Sequence, residues 1–127
     1  MQTRSINAPG VPVPTTGYVQ AREISGHSRT LFISGQTPVD AGGNVPDGFE
    51  AQCRLVWRNV EAQLEAAGMS LDNLVMTRTY LAGRRDGLVN RAVRNEVLAG
   101  REIALTVVIA GIFDEAWLLE MEAVAAA

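Results

Sequence analysis

The 127-residue chain contains no lysine, so all 11 of its basic side chains are arginines. Schiff-base catalysis and covalent attachment of pyridoxal phosphate both need a lysine amine, and both are excluded. There is one histidine, His27, and one cysteine, Cys53. One of each, far apart in sequence, does not supply the cluster of ligands that a zinc site requires, and one cysteine makes an intramolecular disulfide impossible. His27 falls in a polar turn with no serine or cysteine pattern around it and is read as a surface residue. Aromatic residues make up 6% of the chain and the formal net charge is −3, which weighs against nucleic acid as a partner because phosphate binding usually calls for a basic surplus. The N-terminus lacks the basic-then-apolar form of a signal peptide, and no apolar run has the length to span a bilayer. The expectation is a cytoplasmic protein with no membrane association.

What is present is ordinary globular composition, 47% hydrophobic and 20% charged, at a length typical of one domain over residues 1–127. Residues 1–16 carry three prolines (Pro9, Pro12, Pro14) and read as an extended lead-in segment. Two strands, Tyr18 to Glu23 and Thr30 to Gln36, are expected around the turn Ser25 to Ser28. Asp47 followed by Glu50 has capping-box spacing, and beyond it Phe49, Cys53, Val56, Val60, Leu64 and Ala67 recur every three or four residues. That stripe predicts an amphipathic helix closed by Gly68, with Cys53 in the core. A strand over Leu74 to Leu81, a second helix from about Leu88 to Ala99 closed by Gly100, and strands over Ile103 to Ala110 and Trp117 to Ala125 complete the order β-β-α-β-α-β-β.

The fold class that follows is α+β, one mixed sheet of five or six strands with both helices on one face. Along the last strand, Trp117, Leu119, Met121 and Ala123 share one side while Leu118, Glu120, Glu122 and Val124 share the other, and neither side is wholly polar. A sheet partly apolar on both faces, with helices enough for one, implies burial of the other against a further subunit.

Three segments together resemble the YjgF/RidA (reactive intermediate deaminase) family. The first runs from Gly17-Tyr18-Val19-Gln20-Ala21 into Phe32-Ile33-Ser34-Gly35-Gln36-Thr37-Pro38. The second runs from Gln52 through Asn59 and Ala66 to Asp72, then to the strand around Thr77 and to Asn90. The third is Leu119-Glu120-Met121-Glu122-Ala123-Val124-Ala125. The resemblance implies a fold like that of trimeric chorismate mutase, a homotrimer, a small-molecule pocket at each subunit interface, and no metal or organic cofactor. In the family's deaminating members an arginine in a Pro-Ala-Arg-Ser motif holds the substrate carboxylate, and a glutamate of the closing strand positions the water that hydrolyses an imine.

That motif falls on Glu102-Ile103-Ala104-Leu105, so Ala104 stands where the arginine would be. A methyl group cannot make the bidentate, charge-assisted grip of a guanidinium. Glu120 matches the water-positioning glutamate, and Tyr18, Ser34 and Asn90 match positions that line the pocket. Arg78, on the strand with Met76 and Tyr80 on its side, either faces the pocket or pairs with Glu120 or Glu122; Arg101 lies three residues before Ala104. These residues suggest hydrolysis of a small imine, enamine or related C–N metabolite other than the usual 2-imino acid. The alternatives are a non-catalytic trimer that binds a metabolite or a protein, and an endoribonuclease, which the acidic balance and lack of lysine disfavour.

Overall fold

A computed structural model describes all residues, Met1 to Ala127. It contains six strands and two helices in the order β1 (Gln2–Ile6), β2 (Ala21–Ser25), β3 (Thr30–Gln36), α1 (Phe49–Ala66), β4 (Leu74–Leu81), α2 (Gly87–Leu98), β5 (Ala104–Ile109) and β6 (Leu119–Ala126). The strands form two sheets. A mixed four-stranded sheet has the order β3-β6-β4-β5, with β4 and β5 parallel and the other pairs antiparallel, and β1 and β2 form a separate antiparallel pair.

The α+β class holds, but the single sheet of five or six strands expected from the sequence is divided into one of four strands and one of two, and three local expectations also change. The lead-in segment contains a strand, because Gln2 to Ile6 pair residue for residue with Ser25 to Ala21. The segment after Gly17 is not yet strand: Val19 makes only an isolated parallel bridge to Ala104, and β2 then pairs with β1 rather than with β3. Helix α1 is entered through Gly48, at φ +87°, with no side-chain cap, so Asp47 lies one residue outside the position at which a carboxylate could reach the first free N–H groups. Its other end is as expected. Gly68, at φ +72°, turns the chain so that its N–H donates to Glu65 and that of Met69 to Leu64.

The apolar stripe of α1 packs on one sheet face. Cys53, Val56, Trp57, Val60 and Leu64 meet Leu119, Met121, Ala123 and Ala125 of β6, with Leu74 and Leu81 of β4 and Val93 and Leu98 of α2 completing one core. Gln52 is a buried polar member of α1. Its Nε2 donates to the carbonyls of Pro46 and Ala116, 3.0 Å each, and its Oε1 accepts from Leu118 N–H at 2.8 Å, which fastens the start of the helix to the segment feeding β6. Asn59 donates in the same manner to the carbonyls of Thr37 and Val39.

The opposite face of the sheet is uncovered in the single chain. Met76, Arg78 and Tyr80 of β4 lie beside Val124, Glu122 and Glu120 of β6, and Phe32 of β3 stands 78% exposed next to Val124. This is the division of sides expected from the alternation in the last strand. No helix is long and apolar enough to cross a membrane.

Cys53 is fully buried, and burial pushes its thiol up to about 12. It is therefore expected to resist iodoacetamide in the native protein at pH 8 and to react on unfolding in urea; mass-spectrometric detection of rapid native alkylation would contradict this packing.

Candidate functional site

The edge formed by β3 and β6 carries the first group of candidate residues. The pairing of these strands slips between Ile33 and Gln36, so Ser34 and Gly35 sit at an irregularity in the ladder. Glycine is required there by what lies above it. A Cβ at Gly35 would fall 2.2 Å from Oε1 of Glu120, so the missing side chain is the space that the carboxylate occupies. Glu120 takes part in none of the chain's ion pairs. It is a half-exposed carboxylate on the uncovered face, with its acceptor sites free for water or a ligand.

Its neighbour two residues on is differently placed. Glu122 accepts from the Tyr80 hydroxyl at 2.8 Å and is ion-paired with Arg78. The Tyr80 hydrogen bond and then the Arg78 guanidinium hold its carboxyl below the usual range. Arg78 thus takes the ion-pair alternative, with Glu122 rather than Glu120 as partner. The pair lines an open cavity of about 410 Å³ with Phe32, Ser34, Met76 and Val124.

A second group gathers at the other edge of the sheet. Ala104 begins β5, beside Met76 of β4, and is bridged on its far side by Val19, whose N–H donates to the Ile103 carbonyl at 3.1 Å. That bridge brings Tyr18 next to the head of β5. Gly17, at φ +92°, lets the loop lie against α2, where a Cβ would fall 2.4 Å from the Asn95 side-chain oxygen. Asn90 projects from α2 into the interior, and its Oδ1 accepts a weak bond from the Cys53 thiol at 3.8 Å. Arg101 is held by Asp72 and by the Leu98 carbonyl.

One chain therefore divides the sequence candidates. Ser34, Arg78 and Glu120 belong to the β3-β6-β4 side, while Tyr18, Asn90 and Ala104 belong to the α2-β5 edge, and the order β3-β6-β4-β5 puts β3 and β5 at opposite edges of the sheet. The sequence reading passed over two residues. Gly35 could have been suspected as a glycine inside a strand pattern. Arg94 is buried on α2 at 6% exposure, with its guanidinium 6.0 Å from the centre of the Tyr18 ring and bonded to the Thr16 carbonyl. Burial, and then the nearby Arg91, lower its pKa. Its signal was the spacing of four from Asn90, which places both on one helix face.

These features define a class: a small α+β domain with helices on one sheet face and polar side chains displayed on the other. The model of a family described as Endoribonuclease L-PSP matches residues 8–127. The chain belongs to that family, the YjgF/RidA family of the sequence resemblance. A RutC family protein of Aquifex aeolicus is 39% identical over 79 residues, so the match spans 61% of each chain. A mouse protein named 2-iminobutanoate/2-iminopropanoate deaminase is 34% identical over 88 residues, 67% of this chain and 63% of that one. Among solved structures, a Rid family protein of unknown function, YyfB from Yersinia pestis, superposes with a TM-score of 0.87 at 27% identity, covering 100% of both chains.

Proposed function

We propose that the chain is a RidA-like hydrolase that converts a small imine, enamine or related C–N compound to its carbonyl product and ammonia, with Glu120 as the group that handles water. The observation that carries this reading is the Glu120 carboxylate, unpaired above Gly35 on an uncovered sheet face. With the imine nitrogen already protonated, Glu120 as general base takes a proton from water as the oxygen attacks the C=N carbon, giving a neutral carbinolamine. That proton passes from Glu120 to the amine nitrogen, and as the C–N bond breaks with ammonia as the leaving group the hydroxyl proton is lost to the Glu120 carboxylate, which leaves the carbonyl product. The family membership and the name of the mouse relative support this class of reaction.

The proposed working unit is a homotrimer. Residues matched to one pocket lie at opposite edges of the sheet, so a site uniting them needs the β3 edge of one copy to meet the β5 edge of the next. A head-to-tail contact of that kind closes into a ring of three when each copy is turned by a third of a circle from the last. The exposed Phe32 and the open sheet face support burial against another copy. With Ala104 at the head of β5, the substrate is not gripped from that position, and this argues for a substrate other than the usual 2-imino acid held there. A cytoplasmic setting remains part of the proposal.

The test is to generate imines in situ with an amino-acid or amine oxidase and follow carbonyl product and ammonia. Acceleration for at least one imine is expected. No acceleration across a panel with and without carboxylates would favour the second reading, a non-catalytic trimer that binds a metabolite. The alanine at position 104 is the observation behind that alternative, and a compound that raises the unfolding temperature without being converted would support it.

A further inference from the structure

Five of the eleven arginines, Arg4, Arg22, Arg54, Arg78 and Arg101, are held by carboxylates. Of the others only Arg94 is buried. A guanidinium has five N–H donors, and Arg94 directs one to the Thr16 carbonyl and one to the Asn95 side chain, leaving three free. It meets no carboxylate, although the chain has 14 acidic residues to offer. A buried cation without a counterion is costly, and the costs are met when an anion arrives from outside.

There is room for one. Arg94 lines a cavity of about 290 Å³ between α2 and β5 with Asn90, Arg91, Arg84, Leu88 and Val107, and no acidic side chain is in the lining. Asn90 is 3% exposed, and its only side-chain bond uses the oxygen, so the amide nitrogen has no partner within the chain. Asn90 and Arg94, four residues apart on α2, present their free donors on the same face.

We propose that this cavity binds a small organic carboxylate, gripped by the Arg94 guanidinium and the Asn90 amide. Arg91 and Arg84 at the exposed rim draw the anion in, and Leu88 and Val107 receive its apolar part. A single buried guanidinium matches a monoanion in charge and, through its fork, in geometry. The volume, at the small end for ligand pockets, suits a compound of a few heavy atoms. The cavity shares Asn90 with the α2-β5 half of the proposed pocket, but binding there needs neither Glu120 nor turnover, so its failure and that of the hydrolase reading are distinguishable.

The experiment is calorimetric titration of the full chain at low salt with pyruvate, with inorganic phosphate and neutral acetamide in parallel. Pyruvate is expected to bind more tightly than either. Arg94→Met should weaken it by roughly tenfold to a hundredfold, the usual loss for a charge-assisted contact. Leu88→Glu alters an exposed side chain at the cavity wall and should weaken pyruvate severalfold with the fold intact; it decides the matter alone if Arg94→Met fails to fold. Pyruvate affinity unchanged in Leu88→Glu or in folded Arg94→Met, no pyruvate binding to the unaltered chain, or a preference for phosphate or acetamide would overturn the assignment.

Discussion

Glu120→Gln is expected to lower imine turnover by about 10²–10⁴-fold, the usual contribution of a positioned general base, while leaving the unfolding midpoint within a degree or two. The amide preserves the shape above Gly35 and can still hold a water, but it cannot take the proton. The small effect on stability follows from the absence of an ion pair at Glu120; its neighbour Glu122 supplies the contrast, bonded to Tyr80 and Arg78. Steady-state kinetics with the best imine substrate, beside thermal unfolding, make the comparison. Turnover within threefold of the unaltered protein would remove Glu120 from the mechanism. Gly35→Ala probes the same point from the other strand. Its Cβ would meet the far end of the flexible Glu120 side chain, which moves aside, so activity should fall more than stability.

The largest expected loss of stability away from the apolar core is at Gln52. Replacement by leucine keeps roughly the volume and removes three hydrogen bonds, leaving the carbonyls of Pro46 and Ala116 and the N–H of Leu118 without that partner. Buried groups so abandoned cost about 1–3 kcal/mol each, less where water can reach them, and both carbonyls here lie near the surface. The expected destabilisation is about 2–3 kcal/mol, or a fall in the melting temperature on the order of 10 °C. Urea unfolding measures it directly. A loss below about 0.5 kcal/mol would show that the segment before β6 is held by its apolar contacts alone.

Legibility in the sequence followed how local each signal was. Helix α1 announces itself by apolar periodicity and β4 by its β-branched and aromatic content, while the alternation along β6 separates its two faces without saying which of them the helices cover. Strand β1 could not be read: Gln2 to Ile6 are mostly polar and become a strand only because Ala21 to Ser25 come alongside. The same pairing defeated the expectation of a β2-β3 hairpin. The cap at Asp47 failed by one residue, the ordinary margin at a helix end. Glu120 and Ala104 are legible through the family pattern, whereas Arg94 is a position that no motif marks. Its importance comes from being buried without an acidic partner, a property of the packed chain rather than of any short stretch of it.

The placing of Ser34 and Ala104 at opposite edges of the sheet has a consequence for how such a protein would behave in dilute solution. If each working pocket is shared between neighbouring copies, an isolated chain carries two incomplete halves and no whole site. Specific activity then becomes a function of protein concentration, and assembly itself acts as the switch that turns the chemistry on.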